Sequence, residues 1–150
     1  MSRFTKELPQ TIAGYVLSQG SNMIGDVQSV SYYDGATVVQ HWSDKWGAFT
    51  IGSYINGDKN IKADPYNYLF QHEYGHYLQS QSVGPTYLFN YAIPSLIDAA
   101  KHDQDVHDYF WVEMDANARA LRYWKANIPD YDMSQWYNPI EDPSVIHYDH

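Results

Sequence analysis

The chain has 150 residues, 44% hydrophobic and 17% aromatic, with nine basic and eighteen acidic side chains and a formal net charge of -9. That length suits one domain with its own core, and the composition excludes a disordered chain. No basic run exists, which argues against nucleic acid and anionic membrane surfaces as partners, and the absence of cysteine leaves only histidine and carboxylate to ligate any zinc.

In chain order, Ser2 to Pro9 reads as a lead-in. Met1 to Gln10 carries charge and a proline where a secretory signal needs an apolar stretch, so no signal peptide is expected in this chain. No apolar run reaches membrane-spanning length. Ile12 to Leu17 is expected to form a short first strand, ended by Gly20-Ser21-Asn22. Val27 to Tyr33 and Ala36 to Trp42 favour strand, and Asp34-Gly35 between them is a two-residue hairpin signal. A further strand is expected from Trp46 to Ile55, with Phe49, Ile51, Ser53 and Ile55 on one face, closed by the turn Asn56-Gly57-Asp58. The N-terminal third thus predicts a small, mostly antiparallel sheet, and the chain as a whole an α+β fold.

The character changes at Asp64-Pro65. Asp64 suits an N-cap and Pro65 a first helical position, which predicts a helix running to about Val83, where Gly84-Pro85 stops it. A second helical region follows from Thr86 to Lys101, kinked near Pro94. Its apolar residues Leu88, Phe89, Tyr91, Ile93, Leu96 and Ile97 read as core. A third helix is expected from about Val106 to Asn127, and beyond Pro129 the chain reads as an irregular tail.

The first of these helices carries His72-Glu73-Tyr74-Gly75-His76. Positions four apart share a helix face, so His72 and His76 can present both imidazoles to one ion. Glu73 is rotated by about 100° from His72 and can reach a metal-held water without being a ligand. This is the pattern H-E-x-x-H, in which the glutamate serves as general base. A third ligand is expected on the last helix, where Glu113, Ala116, Asn117 and Ala120 follow the i, i+3, i+4, i+7 spacing of one face. Alanines there allow a close approach to the motif helix, which favours Glu113 as the third ligand, with Asp115 next. Asn117 can hold the outer nitrogen of a ligand histidine. Asp115, four residues before Arg119, is better explained by a surface ion pair.

Two imidazoles and one carboxylate leave a fourth position open, the arrangement of a catalytic metal site. The competing reading is a chance motif in an aromatic-rich interaction domain. No group to stabilise an oxyanion stands out: Tyr131, Tyr137, His147 and Tyr148 are candidates and none is preferred. His41, His102, His107 and His150 are expected to be exposed or structural.

His72-Glu73-x-x-His76 followed by Glu113-x-x-Ala116-Asn117 resembles the gluzincin branch of the zincin metallopeptidases. The resemblance implies a zincin-like fold over residues 1–150 as a single metallopeptidase domain, Zn2+ as cofactor, and a peptide or protein substrate. In that group an acidic residue four positions after the glutamate supports a histidine. Asn117 departs from this, since an amide can accept the imidazole hydrogen bond but adds no negative charge. The departure motivates a second reading, a zincin fold that binds zinc without turnover.

Trp46 to Ile55 is similar to the edge strand along which zincins hold an extended substrate. A wider similarity, from Gly14 to Ala99 and including Ile93-Pro94-Ser95-Leu96, is to zincin-like domains at the C-termini of bacterial Rhs-repeat proteins. It implies an effector or toxin domain of a larger secreted or surface polypeptide, with a cognate inhibitor as a further partner.

Overall fold

A computed structural model describes residues 8–23, 25–43, 47–94, 97, 101 and 110–140. Its sheet begins with the hairpin that Asp34-Gly35 encodes: both residues take positive φ, 34° and 88°, as a type I′ turn requires. They join β1 (Val27–Tyr33) to β2 (Ala36–His41) in antiparallel register, with Tyr33 opposite Ala36 and Val30 opposite Val39. Two further strands, β3 (Ala48–Ile51) and β4 (Tyr54–Gly57), form a second hairpin. The spatial order is β1-β2-β4-β3, and β4 runs parallel to β2. The sheet is therefore mixed, with two antiparallel ladders and one parallel ladder, and β3 lies at its edge.

The single strand expected from Trp46 to Ile55 is corrected to this hairpin. Gly52, with φ 59°, and Ser53 turn the chain, so no common face runs from Phe49 to Ile55. Asn56 and Gly57 belong to β4, and the turn follows at Asp58, whose Oδ1 accepts from the Asn60 N–H. Trp46 lies outside the described residues.

The strand expected at Ile12–Leu17 is also corrected. It lies within a helix, α1 (Leu8–Met23), that contains Gly20-Ser21-Asn22 as well. From Thr11 onward the side chains that α1 buries are small and polar: Thr11 meets Ser53 Oγ at 3.1 Å, and Ser18 donates to Asn56 Oδ1 at 3.2 Å. Gly14 packs against Ile51 and Tyr54. These follow i, i+3, i+7, while the apolar Ile12, Tyr15, Val16 and Leu17 are all about half exposed or more. The segment is thus polar on its inner face and apolar on its outer one, the reverse of the usual pattern.

The other face of the sheet carries the main core. α2 (Tyr68–Val83) and α3 (Trp111–Asn127) pack against each other, and α2 lies on β3 and β4. Phe70, Tyr74 and Tyr77 of α2 meet Ala36, Val38 and Ile55 of the sheet and Ala120, Leu121 and Trp124 of α3. Tyr33 sits edge-on to Phe70 and Tyr74, at 5.4 and 5.6 Å between ring centres. Offset and edge-on rings of this kind add a favourable quadrupole contact to their burial.

α2 starts later than Asp64-Pro65 predicts. Asn67 is its N-cap, with Oδ1 accepting from the Phe70 N–H at 3.1 Å, and Asp64 instead closes the preceding turn by accepting from the Tyr66 N–H. Asn and Asp cap comparably well, so local preference does not choose between the two positions. Gly84, φ 64°, ends the helix as expected, with its N–H on Ser80 O.

Beyond it the chain makes a short 3-10 turn (Gly84–Thr86) and a π-helical turn (Leu88–Ala92), with the path helical through Pro94. Ile93 and Ile97 are exposed and Tyr91 is half-buried, against the core reading of this stretch. Leu96 and the side chains of Leu88 and Phe89 lie outside the described residues. α3 begins at Trp111, and residues 102–109 ahead of it are outside the described residues too. No helix of the described residues is long and apolar enough to cross a membrane.

Candidate metal centre

α2 presents His72 and His76 on one face, and α3 brings Glu113 to them. Nε2 of His72 and Nε2 of His76 are 3.2 Å apart, and Glu113 Oε2 lies 3.2 Å from the first and 2.9 Å from the second. Bonds of about 2.0–2.1 Å to a tetrahedral ion put neighbouring ligand atoms about 3.3 Å apart. The triangle is close to that size, and this His72–His76–Glu113 group could hold a metal ion. Asp115, the other carboxylate considered as a ligand, points elsewhere: it accepts from Arg119 Nε at 2.7 Å, the ion pair expected from the i, i+4 spacing.

The approach of the two helices depends on Gly75. A Cβ there would run into the backbone of Ala116, and Ala116 itself is fully buried. Glu113 sits one turn before Ala116, so this contact delivers its carboxylate to the histidines. Only 2% of Glu113 is exposed. A carboxylate so buried needs positive partners or hydrogen-bond donors to remain charged.

The outer nitrogens decide which atoms face the ion. His76 Nδ1 is 2.9 Å from Gln79 Oε1, and His72 Nδ1 is 2.9 Å from Asn117 Oδ1. Neither amide can be turned round. Gln79 Nε2 donates to Val112 O and to Asp115 Oδ2, both at 2.8 Å, and Asn117 Nδ2 donates to Pro139 O at 2.7 Å. Both amide oxygens therefore face imidazoles, and both imidazoles carry hydrogen on Nδ1. Each Nε2 is left with a lone pair pointing inward, beside a carboxylate oxygen. The two lone pairs and the carboxylate oxygen lie within 3.2 Å of one another, and a cation between them, whether a metal ion or a proton, would be held by all three.

Proton affinities follow the same geometry. Burial opposes a charge on His72, but its hydrogen bond to Glu113, the charges of Glu73 and Glu113 and the Asn117 bond outweigh this and raise it to about 9. Burial also pushes Glu113 up, yet the two imidazoles hold it well below the usual carboxylate range. A proton is thus the metal's direct competitor here.

Glu73 is buried, and Thr50 of the edge strand donates to its Oε2 at 2.7 Å. The same hydroxyl lies 3.0 Å from the Glu73 carbonyl oxygen. One residue of β3 therefore ties the motif helix to the sheet edge. Tyr87 is near enough to respond to the site: burial first, then the charges of Glu73 and Glu113, push its phenol up.

The tail candidates for an oxyanion partner are placed elsewhere. Tyr131 is buried in the core, donating to Pro65 O at 2.9 Å and stacked on Tyr66, while Tyr137 is exposed. His147 and Tyr148 lie outside the described residues, as do His102, His107 and His150. His41 is structural, with Nδ1 2.9 Å from Asp26 and Nε2 3.2 Å from Asn56.

Reading along the sequence missed Thr50, Gly75, Gln79 and Pro139. Gly75 had a signal, a glycine inside a helix where alanine is intrinsically better by about 1 kcal/mol. Gln79 had one too, being three residues after a histidine on the same helix. Thr50 and the Pro139 carbonyl had none. Comparison of the chain with protein-family models, with curated proteins and with solved structures found no match.

Proposed function

We propose that the chain is a zinc-dependent metallopeptidase that hydrolyses amide bonds in peptides or proteins, with His72, His76 and Glu113 as metal ligands and Glu73 as general base. The observation that supports it most is the convergence of two outward-tethered imidazoles and a buried carboxylate on one point, one residue from a second buried carboxylate. Two nitrogens and one oxygen suit zinc and leave it a fourth position for water or substrate.

When bound, zinc would polarise an amide carbonyl and bring the pKa of coordinated water toward neutrality. Glu73 accepts the proton of the attacking water and hands it to the amide nitrogen as that leaves. Thr50 holds one oxygen of Glu73 and so orients the carboxylate for both transfers. β3 is the edge of the sheet and carries Thr50, so its outer edge is the place for an extended peptide to add as a further strand. The likeness to Rhs-repeat C-terminal domains makes an effector acting on another cell's proteins the setting to test.

A second reading, a zinc-binding module without turnover, is favoured by the neutral amides behind both histidines. One experiment separates the readings. Elemental analysis should find about one zinc per chain in the wild type and much less in Glu113→Ala. Zinc-loaded wild type should cleave unfolded casein and Glu73→Gln should not. Zinc without cleavage selects the second reading, and no zinc in the wild type sinks both.

A further inference from the structure

Gln79 and Asp115 make a connected path to the metal centre from what otherwise reads as a surface ion pair. Gln79 is fully buried, with its carbonyl oxygen on His76 Nδ1 and its NH2 group on Asp115 Oδ2 and Val112 O. Asp115 Oδ2 also accepts from Arg119 Nε at 2.7 Å, and Arg119 reaches Ser82 Oγ at 3.0 Å. The carboxylate is therefore held in place from α3 and from the end of α2.

We propose that Gln79 and Asp115 together form an amide-bridged carboxylate that fixes the tautomer of His76 and strengthens its Nε2 as a metal ligand, an inference that rests on the metal reading above. An amide drawn on at its NH2 group by a carboxylate gains electron density on its oxygen, because the two ends are conjugated. That oxygen then pulls harder on the His76 Nδ1 hydrogen, and the imidazole gains density at Nε2. The carboxylate acts through Gln79 instead of touching the ring.

The second histidine is the internal comparison. His72 also leans on an amide, that of Asn117, but the Asn117 NH2 group meets the neutral Pro139 carbonyl. Two ligands of the same kind thus have the same first partner, and among the described residues only the amide on His76 is hydrogen-bonded to a charged group. Negative charge missing at position 117 is supplied at position 115, to the other imidazole. Gln79 and Asp115 are positioning residues in this scheme.

Zinc affinity of the whole chain, measured by competition with a chromophoric chelator, tests it. Gln79→Ala should weaken zinc by about 10- to 100-fold, the usual loss of an outer partner. Asp115→Asn, which keeps the shape and an oxygen for Gln79 but loses the charge, should weaken it less. In the Gln79→Ala background the same Asp115→Asn change should do nothing, because the path is already cut. In long-range 1H–15N spectra of zinc-loaded protein, Asp115→Asn should move the His76 Nδ1–H resonance and leave that of His72 in place. The spectral test needs only the conservative variant, so it decides the matter if Gln79→Ala does not fold. An unchanged zinc affinity and His76 resonance in Asp115→Asn would overturn the proposal, as would an equal loss with and without Gln79. Wild type that takes up no zinc would overturn the metal reading and this proposal with it, a failure told apart because no variant is needed to see it.

Discussion

A Cβ built on Gly75 would stand 2.9 Å from the Cα of Ala116, and closer still to the carbonyl group of that residue. The spacing of α2 and α3 is therefore set where backbone meets backbone, one residue before His76 and one turn after Glu113. Gly75→Ala should force the helices apart at that point. Overpacking of this kind costs about 1–3 kcal/mol, sometimes more, and here it also opens the triangle of ligand atoms. The expected outcome is a lower urea midpoint together with loss of zinc from purified protein. Ala116→Gly should not rescue it, because the atoms in the way are main chain; a full rescue would show that the contact is looser than described.

Thr50 gives a prediction about turnover alone. Its hydroxyl donates to Glu73 Oε2, and hydrogen bonds to charged groups contribute about 1.5–3 kcal/mol. Thr50→Val should lower kcat/KM about 10- to 100-fold with zinc content unchanged, and Thr50→Ser should restore most of it. Loss of zinc along with activity would assign Thr50 to the architecture of the site instead of to Glu73.

The cluster also sets a pH dependence, and the two groups act in opposite directions. In metal-free protein His72 is raised to about 9 from an ordinary value of 6.5, so its contribution to stability is complete below about 6.5 and lost as pH rises through 9. Glu113 is depressed, so its contribution is present above its ordinary value of 4.5 and lost as pH falls through its lowered one. The thermal midpoint of the metal-free chain should therefore fall from pH 6.5 to 9. Zinc must displace the His72 proton, so apparent zinc affinity should rise over the same interval with release of about one proton. A metal-free midpoint that climbs through this range would contradict the account.

Asn117 is an amide because of what lies on its far side. Its NH2 group donates to Pro139 O at 2.7 Å, where a carboxylate would place a second oxygen against that carbonyl. Above about pH 9, where His72 is neutral, Asn117→Asp should cost the metal-free protein about 1–3 kcal/mol, the penalty of a lost hydrogen bond and a repulsive contact at a part-buried site. Asn117→Ala should also weaken zinc by about 10- to 100-fold through His72. Calorimetry of the metal-free and zinc-loaded forms separates the two effects, and an Asn117→Asp variant as stable as the wild type would discount the Pro139 contact.

Residue spacing along the chain determined what one helix or one turn can decide alone. His72 and His76 share a face because four residues nearly complete a turn, Asp34-Gly35 makes its hairpin because both positions tolerate positive φ, and Gly84 ends α2 for the same kind of reason. The alanines at 116 and 120 already pointed to a close approach of α3. Tertiary structure decided whatever depends on which surfaces meet. It turned α1 so that Thr11, Gly14 and Ser18 face the sheet, inserted β4 between β2 and β3, and moved the cap of α2 from Asp64 to Asn67. It also brought Gln79, Asp115 and Pro139 behind the two histidines. Covalent geometry relates residues a few positions apart whatever the rest of the chain does. A hydrogen bond from Thr50 to Glu73 or from Asn117 to Pro139 exists only once the layers have packed, and nothing in either residue's neighbours along the chain encodes it.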